Sequence, residues 1–200
     1  MSFTFRCVDA VADAPLLHSW VTQPYASFWG MLSSTVDGVV EEYSKIQSGG
    51  HHHALLGLDD GVPAFLMEEY RPSASPLAAA YAVQEGDIGM HLLVAPPSGG
   101  PRPGYTAAVM DAVLERLFEK PGVERVVVEP DARNTKIHVL NERLGFQPAG
   151  VVTLPDKEAL LSFCTRQDYL AARAALREPQ NRPQNHSQDL SAPIHQGASL

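Results

Sequence analysis

Two titratable side chains stand where an α/β fold could use them. His91 lies inside the apolar run Gly89-Met90-His91-Leu92-Leu93-Val94. Strand alternation sets Gly89, His91 and Leu93 on one sheet face and Met90, Leu92 and Val94 on the other. An imidazole placed this way points inward from a central strand and is a candidate acid or base. A hydrogen-bonded core histidine is the plainer reading. Asp131 follows the next apolar run, Val126-Val127-Val128. It falls just past the C-terminal end of that strand, where open α/β sheets place ligands. A carboxylate stabilising the start of the following helix fits the position equally.

Between these residues the chain offers a place for an anion. Pro96 to Pro103 is a turn rich in Pro and Gly that feeds a helix beginning near Gly104. Such a turn exposes unpaired N–H groups beside a helix N terminus, a combination that favours pyrophosphate. A turn of this composition is as often only a turn. Asn134 opens the next helix, where a capping role suits it.

The elements that must position these groups follow from periodicity. Phe3, Phe5 and Cys7 alternate as a strand, and Asp13 to Val21 and Thr35 to Gln47 carry helical spacing. His53–Leu58 and Val62–Tyr70, joined by Asp59-Asp60-Gly61, predict an antiparallel hairpin. Arg71 to Glu85, with Pro72 and Pro76, reads as a loop ahead of the His91 strand. Gly104 to Glu119 repeats apolar residues on one face, from Val109 to Phe118. Glu124–Glu129 reads as a strand covered on both faces. Asn134 opens a helix that turns Ile137, Leu140 and Leu144 inward and ends at Gly145. Strand, helix, strand, helix in that order predicts a right-handed crossover and a parallel pair. Val151–Leu154 and Ala159–Phe163 supply two final strands. Beyond Leu176 the chain turns to Pro, Gln, Asn and Ser, which predicts one domain over residues 1–177 and a disordered tail over 178–200.

Composition excludes several classes. A formal net charge of −8, with 15 Lys and Arg scattered along the chain, argues against a nucleic-acid groove and leaves room for a cationic small substrate. Cys7 and Cys164 are too few and too far apart for a disulfide framework or a zinc site, pointing to a reduced, cytoplasmic protein. His51-His52-His53 has no accompanying carboxylate spacing and reads as a solvated strand start, so no metal is expected. Neither a leader peptide nor a membrane span is legible.

The segment from Asn134 to Leu144-Gly145-Phe146 resembles the corresponding part of GCN5-related acyltransferases. The family's pyrophosphate loop, Gln/Arg-x-x-Gly-x-Gly/Ala, falls on Pro101-Arg102-Pro103-Gly104-Tyr105-Thr106, departing from it at Pro101 and Thr106. Four further motifs occur in order: Trp20 with Pro24 and Phe28-Trp29-Gly30-Met31; Gly86-Asp87-Ile88-Gly89-Met90-His91-Leu92-Leu93; Val127-Val128-Glu129-Pro130-Asp131-Ala132-Arg133-Asn134; and Leu154-Pro155-Asp156-Lys157. Together they resemble the siderophore-biosynthesis branch, which includes hydroxylysine acetyltransferases, mycobactin lysine acyltransferases and desferrioxamine-type acyltransferases.

The resemblance implies an α/β fold with a twisted, mostly antiparallel sheet of about seven strands, flanked by helices and holding a central parallel pair. It implies acyl-CoA, as acetyl-CoA or succinyl-CoA, for a co-substrate. The implied acceptor is a small hydroxylated amine: N-hydroxycadaverine, N-hydroxyputrescine, hydroxylysine or hydroxyornithine. His91 and Asp131 become an acid–base pair, and Arg102, Gly104, Tyr105, Thr106 and Asn134 the coenzyme contacts. Backbone N–H groups near Leu93 and Val94, exposed by a bulge, would receive the oxyanion. Phe28, Trp29 and Met31 would wall the acceptor pocket, although packing explains an aromatic pair nearly as well. Two other readings stay open: an aminoglycoside or polyamine acetyltransferase, and a catalytically silent acyl-CoA-binding module.

Overall fold

The computed structural model describes residues 2–96 and 99–177. The expected tail over 178–200 lies outside the described residues. Seven strands form one sheet in the order β1-β2-β3-β4-β5-β7-β6. They are β1 (Phe3–Cys7), β2 (His52–Asp59), β3 (Val62–Tyr70), β4 (Asp87–Val94), β5 (Arg125–Val128), β6 (Gln147–Thr153) and β7 (Glu158–Thr165). The helices are α1 (Ala14–Val21), α2 (Val36–Ser48), α3 (Tyr105–Glu119), α4 (Thr135–Arg143) and α5 (Arg166–Arg177). Pairing is antiparallel throughout except between β4 and β5, which bears out the expected mixed sheet with its central parallel pair.

Alternation along the central strands divides the core in two. Phe65, Met67 and Met90 join Val109, Val113, Leu114 and Leu117 of α3 on one face. Leu56, Leu66 and Leu93 join Leu17 of α1 and Val39 and Tyr43 of α2 on the other. The sheet is therefore covered on both sides at its middle, and hydrophobic burial there fixes the register.

Sequence periodicity overlooked α5 and the 3-10 helix at Pro24–Trp29. The first is held by one aromatic: Tyr169 stacks on Phe118 with centroids 5.4 Å apart, and its hydroxyl donates to Asp111 at 2.8 Å. Arg71–Glu85 is a loop as expected, tightened by two 3-10 turns at Pro72–Ala74 and Pro76–Ala79.

The parallel pair has a feature that makes the site. Only Asp87–Gly89 of β4 pairs with β5, opposite Arg125–Val127. From Met90 to Val94, β4 has β3 on one side and no β5 partner on the other. No register shift interrupts the β3–β4 pairing over these residues, so the expected bulge is replaced by divergence of two strands. At the closed end Arg125 grips Asp87 through two bonds of 2.7 and 2.8 Å, and the Tyr81 hydroxyl donates to the same carboxylate at 2.9 Å.

Candidate active site

A cleft of about 850 Å³ runs from α2 through the β4–β5 opening to α3 and α4. Met90–Val94 form its floor, and Val128–Asp131 and Asn134 border the far side of the opening. Phe28, Trp29 and Met31 wall the end nearer α2, and His91, Leu93, Val94, Thr106, Asp131 and Asn134 also line the cleft. Arg102, Gly104 and Tyr105, expected among the coenzyme contacts, do not line it. The Arg102 guanidinium is tied to Asp59 and lies 4.2 Å from the Tyr105 ring centroid. Tyr105 itself is buried in the core beside Phe3. Gly104 turns the chain into α3 with φ of +77°; the Tyr105 N–H is taken by the Arg102 carbonyl at 3.1 Å, and no side chain caps the turn that follows.

His91 is the centre of the charged cluster, but Asp131 is not its partner. Nδ1 faces Oε2 of Glu68 at 3.0 Å, and Nε2 faces Oε1 of Glu129 at 2.6 Å. Both carboxylates are almost fully buried, at 6% and 5% exposure. The expected His91–Asp131 pair is thus corrected to Glu68–His91–Glu129. Asp131 instead receives the Arg133 backbone N–H at 2.9 Å and the Arg133 guanidinium at 2.8 and 2.6 Å. Those bonds hold its carboxyl well below the usual range.

Every other oxygen of the two buried carboxylates is occupied. Tyr70 donates to Oε2 of Glu129 at 2.7 Å. Tyr43 donates to Oε1 of Glu68 at 3.2 Å and receives the Trp29 indole N–H at 3.3 Å. His52 meets Oε2 of Glu68 at 3.2 Å, so the histidine run is not simply solvated: its middle member folds into the site. The ligand atoms of His52, Glu68 and His91 lie within 4.8 Å of one another, a spacing at which a metal ion could also be held.

Access of Tyr70 to Glu129 depends on Gly89, its cross-strand partner. A Cβ at residue 89 would lie 2.2 Å from the Tyr70 ring, inside any tolerable contact. The glycine expected only as part of an alternating strand thereby lets the ring lie flat across β4.

Burial alone would lower the His91 pKa, yet the Glu129 charge and the hydrogen bonds His91 donates to both carboxylates raise it to about 10. Burial likewise opposes ionisation of Glu68, but bonds from His52 and His91 hold its carboxyl at about 2. Glu129 is lowered against its own burial by the His91 charge and bond. At neutral pH the centre is an imidazolium donating from both nitrogens to two carboxylates, with a net charge of −1. His91 then has no lone pair to offer, although its side chain is 36% exposed to the cleft.

Sequence reading missed Glu68 and Glu129 as partners. Glu129 was within a quoted motif, and Glu68 carried a signal of its own: adjacent acids, Glu68-Glu69, interrupt an apolar strand that is buried from Phe65 to Tyr70. Asn134 also departs from expectation, since it precedes α4 without making a side-chain capping bond. The residue lines the cleft. Among the described residues, no helix is long and apolar enough to cross a membrane.

A family model described as an acetyltransferase (GNAT) domain matches residues 9–154. The chain is 26% identical over 168 residues to N-hydroxyputrescine acetyltransferase of Acinetobacter baumannii, covering 84% of this chain and 80% of that one. It is 28% identical over 145 residues to the lysine N-acyltransferase MbtK of a Mycobacterium species, covering 66% of this chain and 54% of the relative. Aminoglycoside acetyltransferase AAC(6')-Ib, solved with coenzyme A, shares the fold with a TM-score of 0.75 at 24% identity, over 86% of this chain and 99% of that one. The two curated relatives bear out the branch that the motifs resemble. The chain belongs to the GNAT acetyltransferases and is an acyl-CoA-dependent N-acyltransferase.

Proposed function

We propose that the protein transfers an acetyl or succinyl group from acyl-CoA to the hydroxylated nitrogen of a small amine, making a hydroxamate for siderophore biosynthesis. The observation that carries this reading is the locked state of His91. A general base works best with a pKa near the operating pH, and a histidine raised to about 10 is protonated there. An ordinary alkylammonium acceptor would need such a base before it could attack. A hydroxylamine nitrogen is largely unprotonated near neutral pH and attacks without one. The relative named for N-hydroxyputrescine supports the same choice.

In this reading the unpaired edge of Met90–Val94 receives the thioester, and the Val94 backbone N–H, which alternation turns away from β3 while that of Leu93 faces it, holds the oxyanion. The acceptor nitrogen attacks the carbonyl carbon, forming the C–N bond while the carbonyl oxygen takes the electron pair. Collapse breaks the C–S bond. The proton leaving nitrogen neutralises the departing thiolate, giving hydroxamate and free coenzyme A, while the His91 imidazolium, open to the cleft, stabilises the negative charge that develops during attack. The uncapped start of α3 and the Thr106 segment serve the pyrophosphate, with the Asn134 amide beside the pantetheine arm.

The test is thiol release from acetyl-CoA and succinyl-CoA with N-hydroxycadaverine, N-hydroxyputrescine, hydroxylysine and hydroxyornithine, each beside its unhydroxylated parent. Preference for hydroxylated acceptors is expected. Preference for plain amines would replace this reading with that of a polyamine or aminoglycoside acetyltransferase, and coenzyme binding without thiol release would replace it with a binding module.

A further inference from the structure

The acceptor end of the cleft holds one carboxylate that the charged centre does not use. Ser34, Gly38, Glu42 and Ile46 are spaced by four residues and all line the cleft. For the last three this puts one face of α2 towards it. Glu42 is half-buried and has neither a hydrogen bond nor an ion pair among the described residues. The other acids lining the cleft differ. Glu68 and Glu129 are bound to His91, and Asp131 is bound to Arg133. Asp156, like Glu42, is without an ion pair among the described residues, but it is exposed to water, whereas Glu42 is half-buried.

The surroundings of Glu42 define what it would bind. Gly38, one turn away, puts no side chain between α2 and the cleft; a Cβ at that position would meet only Thr35 and Ser34 within 4 Å, at 3.5 and 3.9 Å. Tyr25, Phe28, Trp29 and Met31 supply an apolar wall suited to methylene groups. A carboxylate partly withdrawn from water, without a cation of its own, attracts one.

We infer that Glu42 is the specificity-determining residue of the acceptor end, holding the distal ammonium of an N-hydroxylated α,ω-diamine. This deepens the proposed reaction and rests on it for the hydroxylated end only. The chain of methylenes lies along the aromatic wall, with the reacting nitrogen at the His91 centre and the free ammonium at α2.

The test begins with binding, which does not depend on turnover. Calorimetry in the presence of coenzyme A compares 1,5-diaminopentane with pentylamine on the full chain and on Glu42→Gln, a change that keeps helix propensity and side-chain size. The unaltered protein is expected to prefer the diamine, and Glu42→Gln to lose about ten- to a hundredfold of diamine affinity with pentylamine unchanged. Equal affinities in the two proteins, or no diamine preference in the first, would overturn the inference. In turnover, Glu42→Gln raises KM for the N-hydroxydiamine with kcat and the acetyl-CoA KM held. Glu42→Asp, whose carboxylate is withdrawn by one methylene, shifts preference to a diamine one carbon longer. If hydroxylamines are not turned over but the diamine preference and its loss persist, the reaction fails and the site stands; if hydroxylamines are turned over with KM indifferent to residue 42, the reverse holds.

Discussion

Glu129 and Asp131 lie two residues apart beyond the same strand, yet they inhabit different electrostatic worlds. Glu129 is buried, receives Tyr70 and clamps His91 at 2.6 Å. Asp131 lines the same cleft but spends its oxygens on Arg133, whose side chain is 81% exposed. A position at the end of a strand is thus insufficient to identify a working carboxylate. Both carboxylates are themselves withdrawn from water, at 5% and 7% exposure, so the cation opposite decides: a pair removed from water on both sides is coupled more strongly than one whose cation lies at the surface.

The contrast is broken most severely at its shared centre. Because its imidazolium is the cation of the centre, His91→Ala should lower kcat by about a hundredfold while leaving acetyl-CoA affinity intact, as measured by steady-state kinetics beside calorimetry; full turnover would remove His91 from the mechanism. Glu129→Gln should follow with a loss of similar order but smaller size. It should also move the His91 titration, followed by NMR, downward from about 10, because the largest raising influence is gone. An unmoved titration would mean that Glu68 alone sets the charge.

The coupling also has a signature in stability against pH. His91 has a folded pKa raised from 6.5 to about 10, so its contribution is fully present below 6.5 and is lost as pH rises towards 10. Glu68, depressed from 4.5 to about 2, contributes above 4.5 and loses that contribution as pH falls towards 2. Thermal melts of the protein and of His91→Ala should therefore converge in alkaline solution; parallel curves from pH 6 to 10 would contradict the buried clamp.

Two smaller effects sharpen the comparison. Tyr70→Phe removes one donor from the buried Glu129 and should cost about 1–3 kcal/mol in denaturant unfolding. Asp131→Asn should change turnover by less than roughly threefold, since an ion pair with so exposed an arginine is weakly coupled. A large drop in kcat there would restore Asp131 to the chemistry.

Much of the scaffold was legible because it is written in short periods. The alternation around His91 and the 3.6-residue repeat from Val109 to Phe118 each determine a face, and the structure keeps both. The site was half legible. His91 could be found from its strand, and Trp29 and Met31 from their motif, but a partner is set by three-dimensional register, and Glu68 comes from β3 while Glu129 comes from the end of β5. The glycine at 89 shows the same limit. Its need is imposed by a ring that lies nineteen positions earlier in the chain and directly across the sheet, so no local window records it. Helix α5 escaped because its alanine-rich face has one buried anchor, Tyr169, in place of a full apolar stripe.

The Asp87–Arg125 clamp reaches beyond architecture. It closes the narrow end of the wedge whose wide end takes the thioester in the proposed reaction, and it shares no hydrogen bond with the charged centre. Loosening the wedge at that tip would alter how long coenzyme A dwells after the reaction while the chemical step proceeds unchanged. On that reading, product departure would answer to the end of the strand pair remote from the place where bonds are exchanged.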